Sequence, residues 1–216
     1  MSHFVGFVFG SNVDELLEPY DENMVVDAYV RYTKDEAVDE VKRRHADNYE
    51  YALKVLDKYQ DPKSDWEKEQ VERANKIIEG GIGISYEDAW EEAKKWGYDM
   101  DDENLLSTYN PESKWDWYSE GGRWGAWLIL KEKDENGVPL TAIFATKSEV
   151  DWDRMFPNRV PFCFVTEDGE WHESASMGWW GMTSDDKEED VWNKEFKEYL
   201  DSVGDDVEIS VIDFHI

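Results

Sequence analysis

The chain has 216 residues, of which 40% are hydrophobic and 15% aromatic, so it can bury a core and is predicted to form a single globular domain over residues 1–216. Its 52 Asp and Glu outnumber 23 Lys and Arg, and the net charge of −29 disfavours direct binding to nucleic acid or to an anionic membrane. No apolar run is long enough to span a membrane, and the apolar start lacks the basic region of a signal peptide, so a cytoplasmic location is expected.

The acidity has three possible explanations. Salt adaptation is disfavoured because sixteen of the 23 basic residues are lysine. General solubility is the plainest explanation. The third is an anionic face that occupies the basic groove of another protein.

The first predicted elements are a buried strand at residues 3–9 and a polar, turn-rich segment at 11–23, which contains one possible helical turn. Three helices follow between residues 33 and 97. Thr33 and Glu36 form a capping box, Ser64 and Glu67 form another, and Ser85 caps the third helix. We expect the outer faces of these helices to carry much of the negative charge.

Strands dominate the remainder. Apolar runs around 126–131 and 140–145 flank an Asn-Gly turn, and 160–166 and 170–173 flank an Asp-Gly turn, so both pairs are predicted hairpins. A last helix opens at Asp185 or Asp186, and a strand closes the chain over 207–216. This order favours an α+β fold with an antiparallel sheet, helices on one side, and a ferredoxin-like core that carries an acidic helical insertion at about 33–97. The two terminal strands could lie side by side at the sheet centre.

An aromatic stretch at residues 109–127 is the most unusual part of the chain. If residues 114–118 are extended, Trp115 and Trp117 share one face, and Gly121-Gly122 allows a sharp turn. Arg123 could stack on neighbouring rings and present its donors to an anion. Such a set is typical of a pocket for a nucleotide-like molecule, or of plain core. The candidate ligand-binding residues are Trp115, Trp117, Tyr118, Arg123, Trp124, Trp179 and Trp180.

The last strand carries the candidate catalytic residues. Period two places Asp213 and His215 on the face of Val211, where they could form an acid–base pair or act as metal ligands. His3 and His172 are the possible additional partners. A frayed strand end is the alternative explanation.

The chain lacks the motifs of the common enzyme classes, including a Walker loop, HExxH, CxxC and GxSxG. No cofactor and no metal is therefore predicted. The single Cys163, in an apolar run, is expected to be a buried thiol.

Several motifs together resemble those of an uncharacterised family of bacteriophage and prophage proteins. They are YNPESKWDWYSEGGRW at 109–124, MGWWGM at 177–182, the start HFVGFVFG and the end VEISVIDFHI. The Trp-x-Trp and Gly-x-Arg-Trp pattern is also distantly similar to ferredoxin-like domains of other prophage proteins. The resemblance implies a phage origin and implies no catalytic role.

These observations favour a non-enzymatic phage accessory protein that acts in the cytoplasm of the bacterial host. The predicted partner is a host protein with a basic surface, such as a defence nuclease that binds nucleic acid, and residues 33–97 would supply the anionic decoy face. One alternative is a protein that binds or sequesters a nucleotide-like small molecule. Another is a small hydrolase that uses Asp213, His215 and His172.

Overall fold

The computed structural model of the protein describes residues 2–178 and 181–216. The chain divides into two compact units. Residues 26–108 form one, here called the helical unit, and residues 1–25 with 109–216 form the other, here called the sheet unit. The predicted insertion at 33–97 lies wholly within the helical unit. Among the described residues, no helix is long and apolar enough to cross a membrane.

The α-helices are α1 Val13–Leu17, α2 Lys34–Lys58, α3 Asp65–Gly80, α4 Tyr86–Ala93, α5 Trp152–Met155 and α6 Glu189–Ser202. The strands are β1 His3–Phe9, β2 Val25–Thr33, β3 Asp99–Met100, β4 Asn104–Tyr109, β5 Trp117–Glu120, β6 Leu128–Lys133, β7 Pro139–Ala142, β8 Phe144–Thr146, β9 Cys163–Val165, β10 Trp171–Glu173, β11 Ser176–Met177, β12 Thr183–Ser184 and β13 Glu208–His215.

The terminal strands form the centre of the main sheet, as predicted. β1 and β13 pair antiparallel along their length, from His3 opposite His215 to Phe9 opposite Ile209. The strand order is β10-β9-β1-β13-β5, and β8 also pairs with β13. Both central strands are near-continuous apolar runs because each is buried on both faces.

The prediction of an antiparallel sheet is wrong at one pair. β9 runs parallel to β1, with Gly6 opposite Cys163, so the sheet is mixed. The segment between β8 and β9 is long enough to carry the chain across the sheet, and β9 then joins β1 in the same direction. The structure is therefore a mixed α/β arrangement, and it does not confirm a ferredoxin-like core.

Helices contact both faces of this sheet, which corrects the prediction that they lie on one side. α6 contributes Trp192, Phe196 and Leu200 to a core with Phe7 and Val211. On the opposite face, Leu17 of α1 packs in a second core, whose other buried members are Phe4, Val8, Trp115, Cys163, Val165, Ile212 and Phe214. Cys163 is a free, buried thiol, as expected, and burial raises its pKa.

The three helices of the helical unit begin where the capping residues predict. Thr33 and Ser64 each form a complete capping box, and the Ser85 side chain accepts a hydrogen bond from the Asp88 backbone. β2 and β4 were not predicted. The last helix, α6, begins at Glu189 and not at Asp185 or Asp186, because Asp185 has a φ of 56°, which is incompatible with a right-handed helix.

Candidate functional site

The sheet face covered by α6 ends in a row of aromatic and ionisable side chains. Side chains along β13 alternate between the two faces of the sheet. Asp213 and His215 therefore lie on the same face as Ile209 and Val211, as the sequence predicts. The antiparallel register places His3 of β1 directly opposite His215, and Trp117 of β5 is opposite His215 on the other side. The structure thus brings together His3, Asp213 and His215, which we call the histidine cluster.

Asp213 is the fixed centre of the histidine cluster. Its side chain is 4% exposed, and its two oxygens accept hydrogen bonds from His3 Nδ1 at 2.9 Å and from the Arg123 backbone N–H at 3.0 Å. Gly121 and Gly122 form the turn that delivers this N–H, with φ values of 68° and 45°. A Cβ on Gly122 would collide with the Asp213 carboxylate and lie 2.7 Å from Ser119 Oγ. Glycine is therefore required where the turn touches the carboxylate.

His215 is enclosed by rings. Its imidazole stacks on Trp117 with centroids 4.6 Å apart, and His3 meets it edge-on at 4.9 Å. The side chain is 5% exposed, and neither ring nitrogen has a hydrogen-bond partner among the described residues. The nearest carboxylate oxygen, Asp116 Oδ2, lies 3.7 Å from His215 Nδ1.

His172, the other predicted catalytic residue, lies elsewhere. It sits on β10, separated from β13 by β9 and β1. Its ring stacks on Phe164 at 4.6 Å, and Nδ1 is 2.9 Å from Glu195 Oε1 on α6. Burial alone would raise the pKa of Glu195, but hydrogen bonds from Lys187 and His172 outweigh it and lower that pKa. His172 therefore links β10 to α6 and is no part of the histidine cluster.

The predicted ligand residues do not assemble into one pocket. Trp115 and Tyr118 belong to the core on the α1 side of the sheet, whereas Trp117 contacts the histidine cluster and Trp124 packs against the core on the α6 side. Trp115 and Trp117 therefore do not share a face, because β5 begins only at Trp117 and Trp115 forms a separate bridge to Asp21. Trp179 and Trp180 lie outside the described residues.

Arg123 contributes its backbone to the site. Its side chain is exposed and, among the described residues, makes no ion pair and lies over no aromatic ring. The expected stacking between aromatic neighbours is therefore not seen.

Trp124, one of the predicted ligand residues, lies next to this turn and pairs with Trp127, which was not predicted to belong to a site. Trp124 and Trp127 meet edge-on at 5.0 Å, and both indole N–H groups are buried without a partner among the described residues. Arg159 lies over Trp127 and donates to the carbonyls of Ala126 and Trp127. The spacing of the two tryptophans was the only signal in the sequence.

The opposite end of the sheet is strongly acidic. Here β1 ends, β13 begins and the β9–β10 turn projects, around an open cavity of about 780 Å³. We call the carboxylates at this end and in the adjoining hollow the acidic rim: Asp14, Glu15, Glu120, Glu167, Asp206 and Glu208. Among the described residues, no Lys or Arg forms an ion pair with any of them.

Two tyrosines beside the acidic rim, Tyr199 and Tyr118, have raised pKa values. Burial, and after it the charges of Glu167 and Asp168, raise the pKa of Tyr199 to about 12 despite a hydrogen bond from the Glu167 backbone. Burial, a hydrogen bond to Asp14 and the charge of Glu120 raise the pKa of Tyr118. Both shifts show a local environment that opposes further negative charge.

The negative charge is distributed differently from the prediction that the helices between residues 33 and 97 carry much of it. Residues 33–97 contain 17 Asp and Glu against 12 Lys and Arg, a net charge of −5, and many of the acids are paired along the helices. The sheet unit contains 30 Asp and Glu against 10 Lys and Arg, a net charge of −20. Residues 26–108 as a whole carry a net charge of −9, so most of the unbalanced charge lies in the sheet unit.

Within residues 2–178 and 181–216, no group of three or more His, Cys, Asp or Glu side chains is arranged to hold a metal ion. Comparisons of the chain with protein-family models, with curated proteins and with solved structures found no match.

Proposed function

We propose that the protein is an anionic binding protein whose acidic rim occupies the basic, nucleic-acid-binding surface of another protein. The observation that carries this proposal is the net charge of −20 in the sheet unit, with a row of carboxylates around an open cavity that form no ion pair with Lys or Arg in the described part of the chain. Such a surface raises the association rate with a positively charged partner and repels nucleic acid itself.

The partner class follows from the geometry of the charge. Carboxylates on α1, the β9–β10 turn and the start of β13 line the open cavity, and carboxylates on α1 and β5 line the adjoining hollow, so a convex basic element could contact several at once. A protein that binds nucleic acid carries clustered Lys and Arg for phosphates. The motif resemblance to phage proteins supports a partner from a bacterial host, and the charge favours one that binds nucleic acid, such as a defence nuclease of the host cytoplasm.

The test compares two triple variants of equal charge. In the rim variant, Glu120, Glu167 and Asp206 become lysine; in the matched control, the exposed Glu50, Glu79 and Glu87 of the helical unit become lysine. Tagged proteins capture partners from host lysate at low and high salt, and bound proteins are identified by mass spectrometry. We expect a basic partner that the wild type and the control retain at low salt, that the rim variant loses, and that duplex DNA displaces.

Two results would contradict this function. Equal loss of the partner in both triple variants would show that only net charge matters. Retention by the rim variant, or binding that does not weaken at high salt, would show that the acidic rim is not the contact surface.

The alternative of a nucleotide-like ligand finds less support, because its tryptophans lie on both faces of the sheet. A nucleotide-binding function would predict a ligand that stays bound at high salt and is lost in Arg123→Ala. The rim proposal predicts that Arg123→Ala does not change binding. The same capture experiment, read for small molecules, separates the two.

A further inference from the structure

The ring of His215 packs against Trp117 and His3, but its nitrogens have no hydrogen-bonding role in the described part of the chain. The side chain is 5% exposed, the nearest carboxylate oxygen lies 3.7 Å from Nδ1, and a buried polar group without a hydrogen bond destabilises the folded state. A valine here would continue the face of Ile209 and Val211 without that cost. Within the described residues, the ring nitrogens are therefore available to a partner from outside the protein.

The neighbouring His3 is held in one tautomer. The Asp213 carboxylate accepts at Nδ1, so Nδ1 carries the hydrogen and Nε2 presents a lone pair. Asp213 is itself fixed by the Arg123 N–H, and the glycine turn leaves no space for it to move toward Gly122. A carboxylate that orients an imidazole in this way prepares the ring to accept a proton.

Among the described residues, Trp117 contacts both of these imidazoles. Trp117 stacks on His215 and meets His3 edge-on at 5.6 Å, yet 44% of Trp117 is exposed. Rotation of this exposed side chain would open the ring face of His215 on which it stacks. The space it vacates is about the size of its own indole.

We propose that the histidine cluster is a general acid–base site that hydrolyses a small uncharged carboxylic ester. His3 Nε2 takes a proton from water as the water oxygen bonds to the carbonyl carbon. The carbonyl electron pair moves to the carbonyl oxygen. His215, which enters the step as the imidazolium, gives a proton to the leaving oxygen as the carbon–oxygen bond breaks and the carbonyl re-forms, which releases an alcohol and a carboxylic acid. Exchange with solvent then removes the proton from His3 and restores the proton of His215. Asp213 is the positioning residue, and Trp117 admits the substrate.

The substrate class follows from charge and size. Asp213 and Asp116 lie within the site in a unit of net charge −20, so anionic esters are repelled. The described hydrogen-bond partner of His3 is the Asp213 carboxylate, so the proposal assigns the attack to water. The opening that Trp117 leaves suits a short acyl chain.

The test measures kcat/KM for ethyl acetate, whose basic alkoxide leaving group needs a proton, between pH 5 and 9 in the full chain. His3→Gln and His215→Gln are each expected to lower kcat/KM by at least about 100-fold, the usual contribution of a general acid or base. His172→Gln and His45→Gln are the controls, and we expect them to keep the wild-type rate. Equal rates in all four variants, or wild-type turnover no faster than free imidazole, would overturn the proposal. Turnover of p-nitrophenyl phosphate in place of the acetate would overturn the substrate class.

A second measurement avoids any variant that fails to fold. Nitrogen-15 NMR of the wild-type imidazoles is expected to show His3 with its hydrogen on Nδ1, and Asp213→Asn is expected to abolish this preference and to lower kcat with little change in KM. A wild-type His3 that carries its hydrogen on Nε2 would overturn the proposal, because the oriented base would not exist.

Discussion

At the scale of single residues, the glycine turn over Asp213 leaves no room for a side chain. Gly122 has a positive φ, and an added Cβ would collide with the Asp213 carboxylate and approach Ser119 Oγ. We predict that Gly122→Ala lowers the free energy of unfolding by about 1–3 kcal/mol through overpacking, in addition to the strain of a left-handed alanine. Urea denaturation measures this loss.

Gly137→Ala is the matched control for that prediction. Gly137 also has a positive φ, 80°, but a Cβ there would meet nothing within 4 Å. It should therefore show the backbone strain alone. Equal losses in the two variants would contradict a tight contact between the turn and Asp213.

The sequence predicted half of the site at this scale. Period two along the last strand placed Asp213 and His215 together, because alternation in a buried strand is strict. The role of His3 depended on strand pairing across more than 200 residues, and the sequence could name it only as a possible partner. From the sequence, His172 was an equally plausible member of the site. The structure excludes it from the histidine cluster because it lies at the far edge of the sheet, where it pairs with Phe164.

At the scale of elements, α6 is the helix that covers the catalytic face of the proposed site. Phe196 is fully buried and contacts the rings of Phe7, Phe9, Phe164 and Phe156. We predict that Phe196→Ala costs about 3–5 kcal/mol, the usual loss for a large buried ring. Val191→Ala, at an exposed position of the same helix, should cost far less in the same urea titration.

Tyr199 of the same helix gives a prediction for alkaline pH. Its folded-state pKa is raised from 10.0 to about 12, chiefly by burial. Between those values the unfolded chain loses the phenolic proton first, so the stabilisation present below pH 10 is lost as pH rises toward 12. We expect Tyr199→Phe to be less stable than wild type at pH 8, since the hydrogen bond from Glu167 is lost, but to depend less on pH above 10.

Thermal unfolding at half-unit pH steps checks the alkaline prediction. Tyr51→Phe, at a site 61% exposed, serves as the control and should follow the wild-type curve. A Tyr199→Phe curve parallel to wild type above pH 10 would show that burial of this hydroxyl does not contribute to the alkaline transition.

Elements with local signals were predicted and elements without them were not. The capping boxes at Thr33 and Ser64 fix helix starts through hydrogen bonds three residues apart, so they can be read directly. β2 mixes exposed polar and apolar side chains with no clean alternation, and it gave no such signal. The parallel pairing of β9 depends on how the chain crosses the sheet, which no local pattern encodes.

At the scale of the whole molecule, acidity is distributed unevenly, and only the structure shows which acids share a surface. In the helical unit, Asp47, Glu69 and Glu72 each pair with an Arg or Lys on the same helix. The acids of the acidic rim lack such partners among the described residues, so they repel one another. Neutralising the two sets should therefore have opposite effects on stability.

We predict that Glu120→Gln, Glu167→Gln and Asp206→Asn together raise the urea midpoint at low salt, because neutralisation removes repulsion without breaking an ion pair. The set Asp47→Asn, Glu69→Gln and Glu72→Gln removes the same charge but three ion pairs, so its midpoint should stay level or fall. Sodium chloride at 0.5 M should stabilise the wild type by screening and should narrow the gap to the rim variant. If both sets raise the urea midpoint equally, stability depends on net charge alone. The acidic rim would then not be a distinct surface destabilised by repulsion between its carboxylates.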